Sequence, residues 1–407
     1  MIYEPLGKLY YKDKETFEAE YNNRKNGGYS YSLGLKIHDN EAFFVYTPVF
    51  TNISARIYKK FSQLLRLCME LPEVAYNSYE TKCLVDEIIL SNDIEGIRST
   101  RKEVIDVLET DSQSGKKKRL EGMVRKYVLL LDNQHYEAPM VSSQDIRNLY
   151  DEIVLDEIDK VNWPDGEIFR KYAAEVISGT QQVKHVGLVP EEKIIHYMDS
   201  TLALFKDDNV PMLCKTAILH YMVGYVHPFY DGNGRLSRFM SSYLLKSEFN
   251  SLVALRLSYT IKNSKNEYYK AFDIINDPHN MGDLTPFILY FADVVEKSVD
   301  SLTERLTDGA EKLKFYARVL REKYGGLEYK EKKKTSDVLW LLIQNKLFTS
   351  EPFDKKSLAK ELGVNAETAH NYVYGLSAAG APVTIAKNGK KFIYLLDLSG
   401  LQSFLEK

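Results

Sequence analysis

Between positions 227 and 238 the chain reads His-Pro-Phe-Tyr-Asp-Gly-Asn-Gly-Arg-Leu-Ser-Arg. This short stretch brings a base, a carboxylate, a flexible backbone and two guanidiniums into one helix–loop–helix turn. His227 titrates near neutrality and is suited to take a proton from an attacking hydroxyl. Asp231 is a hard oxygen ligand suited to Mg²⁺, which binds through few carboxylates and completes its shell with substrate phosphates. Gly232 and Gly234 let a ligand come close to main-chain N–H groups, with Asn233 between them. Those amides open the next helix, where the dipole favours an anion. Arg235 and Arg238 are i, i+3 on that helix and share its first turn, and their planar forks match phosphate oxygens. The chemistry such a set supports is phosphoryl or nucleotidyl transfer, where catalysis is mostly positioning and charge stabilisation. A calcium loop fits worse, because the twelfth position counted from Asp231 is Ser242 rather than a bidentate glutamate.

The elements that must hold these groups are mostly helical. Met212 to Val226 is apolar almost all round, as a buried central helix is, and His227-Pro228 ends it. Leu236, Phe239, Met240, Tyr243 and Leu244 follow helical spacing, so a second helix leaves the loop. Upstream, Ala42 to Tyr46 predicts a strand or an extended lead-in limited by Pro48. Ile57, Phe61, Leu64, Leu65, Cys68 and Met69 predict one helix. Leu84, Val85, Ile88 and Ile89 predict another, stopped by Gly96 in a left-handed cap. Val176 to Gly179 and Val183 to Val186 flank a polar turn and predict a hairpin. A charged helix is expected from about Ser301 to Tyr324, then a linker through Gly325-Gly326 and the basic run Lys330 to Lys334.

The string from 227 to 238 resembles the signature of the Fic family, His-Pro-Phe-x-Asp/Glu-Gly-Asn-Gly-Arg-x-x-Arg, at every defined position. An isolated Asp-Gly-Asn-Gly is most often just a turn, but nine matched positions arise by chance at about 10⁻¹¹ per start site. The resemblance implies a mainly helical protein that transfers AMP from ATP to a Ser, Thr or Tyr hydroxyl of a target protein or of itself. On that pattern His227 is the general base and Asp231 the ligand of a Mg²⁺ bridging the α- and β-phosphates. Gly232, Asn233 and Gly234 form the anion cradle, Arg235 contacts the β-phosphate, and Arg238 orients the γ-phosphate. Phe229 anchors the loop in the core. Gly234 matters because kinase-like relatives depart from the nucleotidyl-transfer pattern there. The hairpin, with Val183, Lys184 and His185 and closed by Gly187 and Pro190, matches the family's flap, which docks extended target backbone by strand addition. Asn263, Tyr268 and Tyr269 resemble the nucleoside-side segment.

Ser91-Asn92-Asp93-Ile94-Glu95-Gly96 resembles the inhibitory motif of autoregulated Fic proteins, Ser/Thr-x-x-x-Glu-Gly/Asn. Ser91 and Glu95 are i, i+4 and share a helix face. A glutamate there is expected to pair with Arg238 and withhold it from the γ-phosphate, leaving the α-phosphate misaligned for attack. The same glutamate could instead position water for removal of AMP, and both readings stay open.

The remaining residues narrow the class. With 54 Lys+Arg against 57 Asp+Glu, the net charge of −3 excludes a broadly basic polyanion binder. Hydrophobic content of 44% and charged content of 27% exclude a disordered chain. No apolar run approaches the roughly 18 residues of a membrane span, and the N-terminus lacks a signal-peptide pattern. Cys68, Cys83 and Cys214 are scattered and odd in number, which fits a reducing compartment, so a cytoplasmic protein is expected. His220 is expected to be a packed core histidine, His185 a surface residue, and Lys116 to Arg119 a solvated loop.

The C-terminal part predicts helices over Val338 to Phe348 and Lys356 to Leu362. Asn365 caps a third over Ala366 to Leu376, and Asn388-Gly389 turns a hairpin. That order resembles a winged helix. The presumed recognition helix carries Glu367, His370, Asn371 and Tyr372 but no Lys or Arg. Lys355, Lys356, Lys360, Lys387, Lys390 and Lys391 lie elsewhere, so DNA binding through 335–407 and protein docking are equally open.

The expected fold is therefore mainly α: a Fic-type helical core with a β-hairpin flap, plus a small C-terminal winged helix-turn-helix (α+β) domain. The expected division is 1–120 for an N-terminal helical region with the inhibitory helix, 121–300 for the core, 301–334 for a connecting helix and linker, and 335–407 for the winged helix. The competing functional reading is a transcriptional regulator whose core senses nucleotide; a homodimer is left open.

Overall fold

After two helices over Leu6–Lys12 and Lys14–Asn26, antiparallel strands β1 (Ser30–Ile37) and β2 (Asn40–Val45) form a hairpin, and their register shifts between Ser32 and Lys36. The expected strand is thus the second arm of a hairpin, with Ala42, Phe43 and Phe44 buried. The computed structural model describes residues 3–110, 118–131, 140–177, 183–389 and 391–406. It is mainly helical, and each of its three described sheets is a two-stranded antiparallel hairpin. The lysines at 116 and 117, the hairpin turn at 178–182 and Lys390 lie outside the described residues.

Two units are distinguished by compactness: Met1–Phe61 with Leu84–Asp300, and Ser62–Cys83 with Ser301–Lys407. The first takes in the stretch from 121 to 300 and the stretch before position 120 except Ser62–Cys83, which goes with the second.

Helix α1 spans Pro48–Glu70 and α2 spans Glu73–Ile94. α2 stops where Gly96 adopts φ +75°, with Ile97 N–H returned to the Asn92 carbonyl at 3.0 Å. That is the left-handed cap expected of this glycine. Helix α3 (Ser143–Ile153) buries Ile146, Leu149, Tyr150 and Ile153 along one stripe. The hairpin pairs β3 (Glu175–Ile177) with β4 (Val183–Val186). Helix α4 (Met212–Val226) is buried almost throughout, and α5 (Asn233–Glu248), which buries Leu236, Phe239, Met240 and Leu244, packs beside it. Helices α6 (Leu257–Asn263) and α7 (Lys265–Asn276) follow.

Helix α8 runs from Thr285 to Tyr324, well before the expected start at Ser301. Its early turns carry Phe287, Phe291, Val294 and Val295, all buried, so apolar burial rather than charge defines this part.

In the second unit the expected linker is itself partly helical. A short helix over Tyr329–Lys332 runs into a π-helical turn over Lys333–Asp337. Glu331 breaks the like-charge run and pairs with Lys334 at 3.0 Å. Helix α9 (Val338–Phe348) is the apolar core of this unit. Asp354 caps α10 (Lys355–Leu362), and Asn365 caps α11 (Ala366–Ala378) by accepting from Thr368 N–H at 2.8 Å. Strands β5 (Val383–Asn388) and β6 (Lys391–Leu396) form the last hairpin, with Gly389 at φ +61° in its turn. No helix among the described residues is long and apolar enough to cross a membrane.

Candidate active site

The loop between α4 and α5 is held from below by aromatic stacking. Phe229 is fully buried, lies parallel on Tyr150 of α3 at 3.6 Å, and meets the edge of Phe169 at 5.4 Å. The Tyr150 hydroxyl donates to the Asp231 carbonyl at 3.1 Å. Asn233 closes the loop with its side chain: Oδ1 accepts the Phe229 N–H at 3.0 Å and Nδ2 donates to the Phe229 carbonyl at 2.8 Å. Its amide side chain is thus a staple, and only its backbone N–H remains for a ligand. Gly232 caps α5 at φ +83°, a conformation a side chain would strain. Its N–H donates to the Asp231 carboxylate at 2.6 Å. The free amides of the first turn of α5 are what the sequence assigns as an anion cradle.

His227 terminates α4 in the left-handed region, φ +53°, a costly place for a residue with a Cβ. Arg170 makes that end possible. Its Nε donates to the His227 carbonyl at 2.8 Å, and Nη2 reaches the carbonyls of Leu188 and Val226 at 3.1 and 3.3 Å. A buried cation thereby satisfies orphan carbonyls at a helix C-terminus. Burial pushes the His227 pKa down to about 4, helped by the charges of Arg170 and His185. A hydrogen bond to the Gly224 carbonyl and the Glu95 charge oppose the fall without cancelling it. The imidazole is therefore neutral at pH 7, the form able to accept a proton.

The two arginines differ sharply in occupancy. Arg238, 0% exposed, spends all three nitrogens on α2 and the residue just beyond it. Nε donates to Ser91 Oγ at 2.9 Å, Nη2 to the Ser91 carbonyl at 2.8 Å, and Nη1 to Glu95 Oε1 at 2.7 Å. Burial alone would raise the Glu95 carboxyl, but pairing with Arg238 outweighs it and holds it below the usual range. A Cβ built on Gly234 would collide with the Glu95 carboxylate, so this glycine admits the glutamate to the loop. Arg235, only 1% exposed, meets just Glu157 Oε2, at 3.5 Å. Its Nε and Nη2 have no partner among the described residues. One phosphate-type fork is filled and the other is poised.

A cavity of about 520 Å³ opens on this loop, lined by Glu95, His185, His227, Gly234 and a wall from α7. Tyr268, Tyr269 and Lys265 line it; Asn263 is exposed and does not. A second cavity, of about 630 Å³, is lined by Asp231, Arg235, Glu157 and Arg119. Among the described residues no group of three or more His, Cys, Asp or Glu is arranged to hold a metal. Asp231 alone, exposed beside Arg235, suits an ion that arrives with phosphates.

Val183 and Lys184 are exposed on β4, and Lys184 lies 3.7 Å from Asp273. His185 is not the surface residue expected. Its Nε2 lies 2.5 Å from the Tyr225 carbonyl and its ring stacks on Tyr225, so it helps close the end of α4. His220 is the expected core histidine, set between Ser241 Oγ and Tyr268 Oη at 2.9 Å each, with burial pushing its pKa to about 3. Arg170, Glu157 and Lys265 were not legible in the sequence. They come from irregular segments or helix ends without a motif. Tyr150 did carry a signal, since it falls on the apolar stripe of α3.

Residues 140–245 match the model of the Fic/DOC family. Over 85 residues the chain is 34% identical to the protein adenylyltransferase Fic of Drosophila yakuba, a match covering 21% of this chain and 15% of that protein. The counterpart in Drosophila grimshawi is 33% identical over the same length, covering 21% and 16%. The chain thus spans only about 15% of the length of these curated relatives. A crystal structure of a Fic family protein from Desulfovibrio desulfuricans superposes with a TM-score of 0.52 at 18% identity, covering 87% of this chain and 97% of that one. This likeness concerns the fold.

Proposed function

We propose that this protein is a Mg-ATP-dependent protein adenylyltransferase restrained by Glu95. The observation that carries the reading is the unequal state of the two arginines. Arg235 offers two unmet donors in a buried site, while Arg238 is saturated by Ser91 and Glu95. ATP would dock its β-phosphate on Arg235, while the partner of its γ-phosphate is withheld. When Glu95 leaves, the γ-phosphate takes Arg238 and the α-phosphate aligns for in-line attack.

Neutral His227 then accepts the proton of a Ser, Thr or Tyr hydroxyl, the hydroxyl oxygen bonds to the α-phosphorus, and pyrophosphate leaves with the bridging oxygen. Asp231, together with the phosphates, would hold a Mg²⁺, which would supply charge neutralisation there. The backbone of β4 is where an extended target strand would add, with Val183 and Lys184 beside it. The cavity of about 520 Å³ falls within the range usual for small-ligand sites.

The second unit is read as a winged helix, supported by the order α9, α10, α11, β5, β6. Lys355 pairs with Glu367 at 3.0 Å and Lys391 lies 3.6 Å from Asp354, so part of its basic surface is already engaged. This favours a protein-docking role over DNA for that unit.

The test is incubation of wild-type and Glu95→Gly protein with α-labelled and, separately, γ-labelled ATP. Label arriving only from α-labelled ATP, and lost in a Glu95→Gly/His227→Ala double variant, is the expected result. Transfer from γ-labelled ATP would make it a kinase and overturn the proposal.

A further inference from the structure

Glu95 lies just beyond the last turn of α2, and its place is set by how that end is gripped. The Ile94 carbonyl belongs to the peptide plane whose nitrogen is that of Glu95. Lys265 Nζ donates to this carbonyl at 2.7 Å, and the Tyr269 hydroxyl reaches it at 3.4 Å. One residue earlier, the Asp93 carboxylate pairs with Lys262 Nζ at 2.5 Å. Lysines at a helix C-terminus satisfy orphan carbonyls and complement the dipole. Lys265 and Tyr269 are i, i+4 on α7, so one face of that helix holds the end of α2.

Resting on the reading of Glu95 as a brake, we infer that Lys265 is the positioning residue that sets Glu95 against Arg238. Lys262 is about a third exposed, and its ion pair with a half-exposed Asp93 is screened. Lys265 grips the peptide itself. Losing that grip frees the plane to rotate, and the Glu95 carboxylate then samples positions away from Arg238.

The experiment measures self-labelling from α-labelled ATP by the full chain, comparing wild type, Lys265→Met, Lys265→Arg, Glu95→Gly and the Lys265→Met/Glu95→Gly pair. Lys265→Met is expected to raise the rate roughly three- to tenfold, the range set by the net worth of one ordinary hydrogen bond, because Lys265 acts on Glu95 only through its peptide. Lys265→Arg keeps the donor and the restraint. In the Glu95→Gly background Lys265→Met is expected to add nothing, because both act through one contact. Lys265→Gln, which removes the charge but keeps a polar side chain in the cavity, is run alongside and is expected to rise likewise.

If Glu95→Gly itself leaves the rate unchanged, the brake reading fails and the inference falls with it. If Glu95→Gly rises while Lys265→Met and Lys265→Gln both stay at wild type, the brake stands and the role of Lys265 is refuted. A double variant slower than Glu95→Gly would make Lys265 a nucleotide contact, which also overturns the inference.

Discussion

Replacing Glu95 is the perturbation whose size can be worked from the structure. Glu95 supplies one of the three hydrogen bonds on Arg238, at 2.7 Å, and its side chain is 34% exposed. A charge-assisted hydrogen bond contributes about 1.5–3 kcal/mol, and partial exposure moves the value to the lower end, about 1.5–2 kcal/mol. At about 1.4 kcal/mol per factor of ten, freeing Arg238 raises the competent population about 10- to 30-fold. Glu95→Gly is therefore expected to raise self-labelling by that factor under saturating Mg-ATP. Glu95→Gln keeps an acceptor and loses the charge, so it is expected to fall between wild type and Glu95→Gly. The assay is the initial rate of incorporation from α-labelled ATP, with ATP affinity measured by calorimetry on the same preparations. A Glu95→Gly rate equal to wild type, with ATP still bound, would refute the reasoning. So would Glu95→Gln exceeding Glu95→Gly.

Other outcomes follow from neighbouring groups. The His227 pKa lies near 4, and its protonated form is favoured by Glu95, so Glu95→Gly lowers it further. The base is active when neutral, so kcat/KM of that variant should stay flat from pH 7.5 to about 5.5 and fall only below about 4.5; a half-loss near 6.5 would contradict the burial argument. Arg235→Ala is expected to raise KM for ATP by about tenfold or more, and Arg235→Lys to restore little of it, because a point charge cannot supply the fork; steady-state kinetics in the Glu95→Gly background decides this. Phe229→Ala should cost about 3–5 kcal/mol in stability, read by thermal and denaturant unfolding, since the ring is fully buried between Tyr150 and Phe169.

The loop from His227 to Arg238 was legible because its chemistry is contiguous, and α4 and α5 were legible because their apolar patterns are long and regular. Ser91 and Glu95 could be paired from an i, i+4 spacing that ends at a cap glycine. The supporting contacts were not legible. Arg170 reaches His227 across 57 positions, Glu157 reaches Arg235 across 78, and Lys265 reaches Ile94 across 171. None of these lies in a repeating pattern, so only the folded chain joins them. His185 was misjudged for a related reason: its strand is too short for alternation to say which face meets the end of α4. The run Lys330 to Lys334 looked like a linker by charge alone, yet Glu331 within it gives the lysines a partner and lets the segment wind into helix.

Arg238 is a guanidinium with no solvent exposure, and that fact limits what the released state can be. Withdraw Ser91 and Glu95, and a bare cation is left in a dry interior, which is expensive unless another anion arrives. Release and loading are therefore one event rather than two. On the proposed function, the unloaded, released form would be the least favourable state, and nucleotide would be the second key to the same lock. A pocket that loses its phosphate would, on the same reading, reclaim its own carboxylate without any further signal.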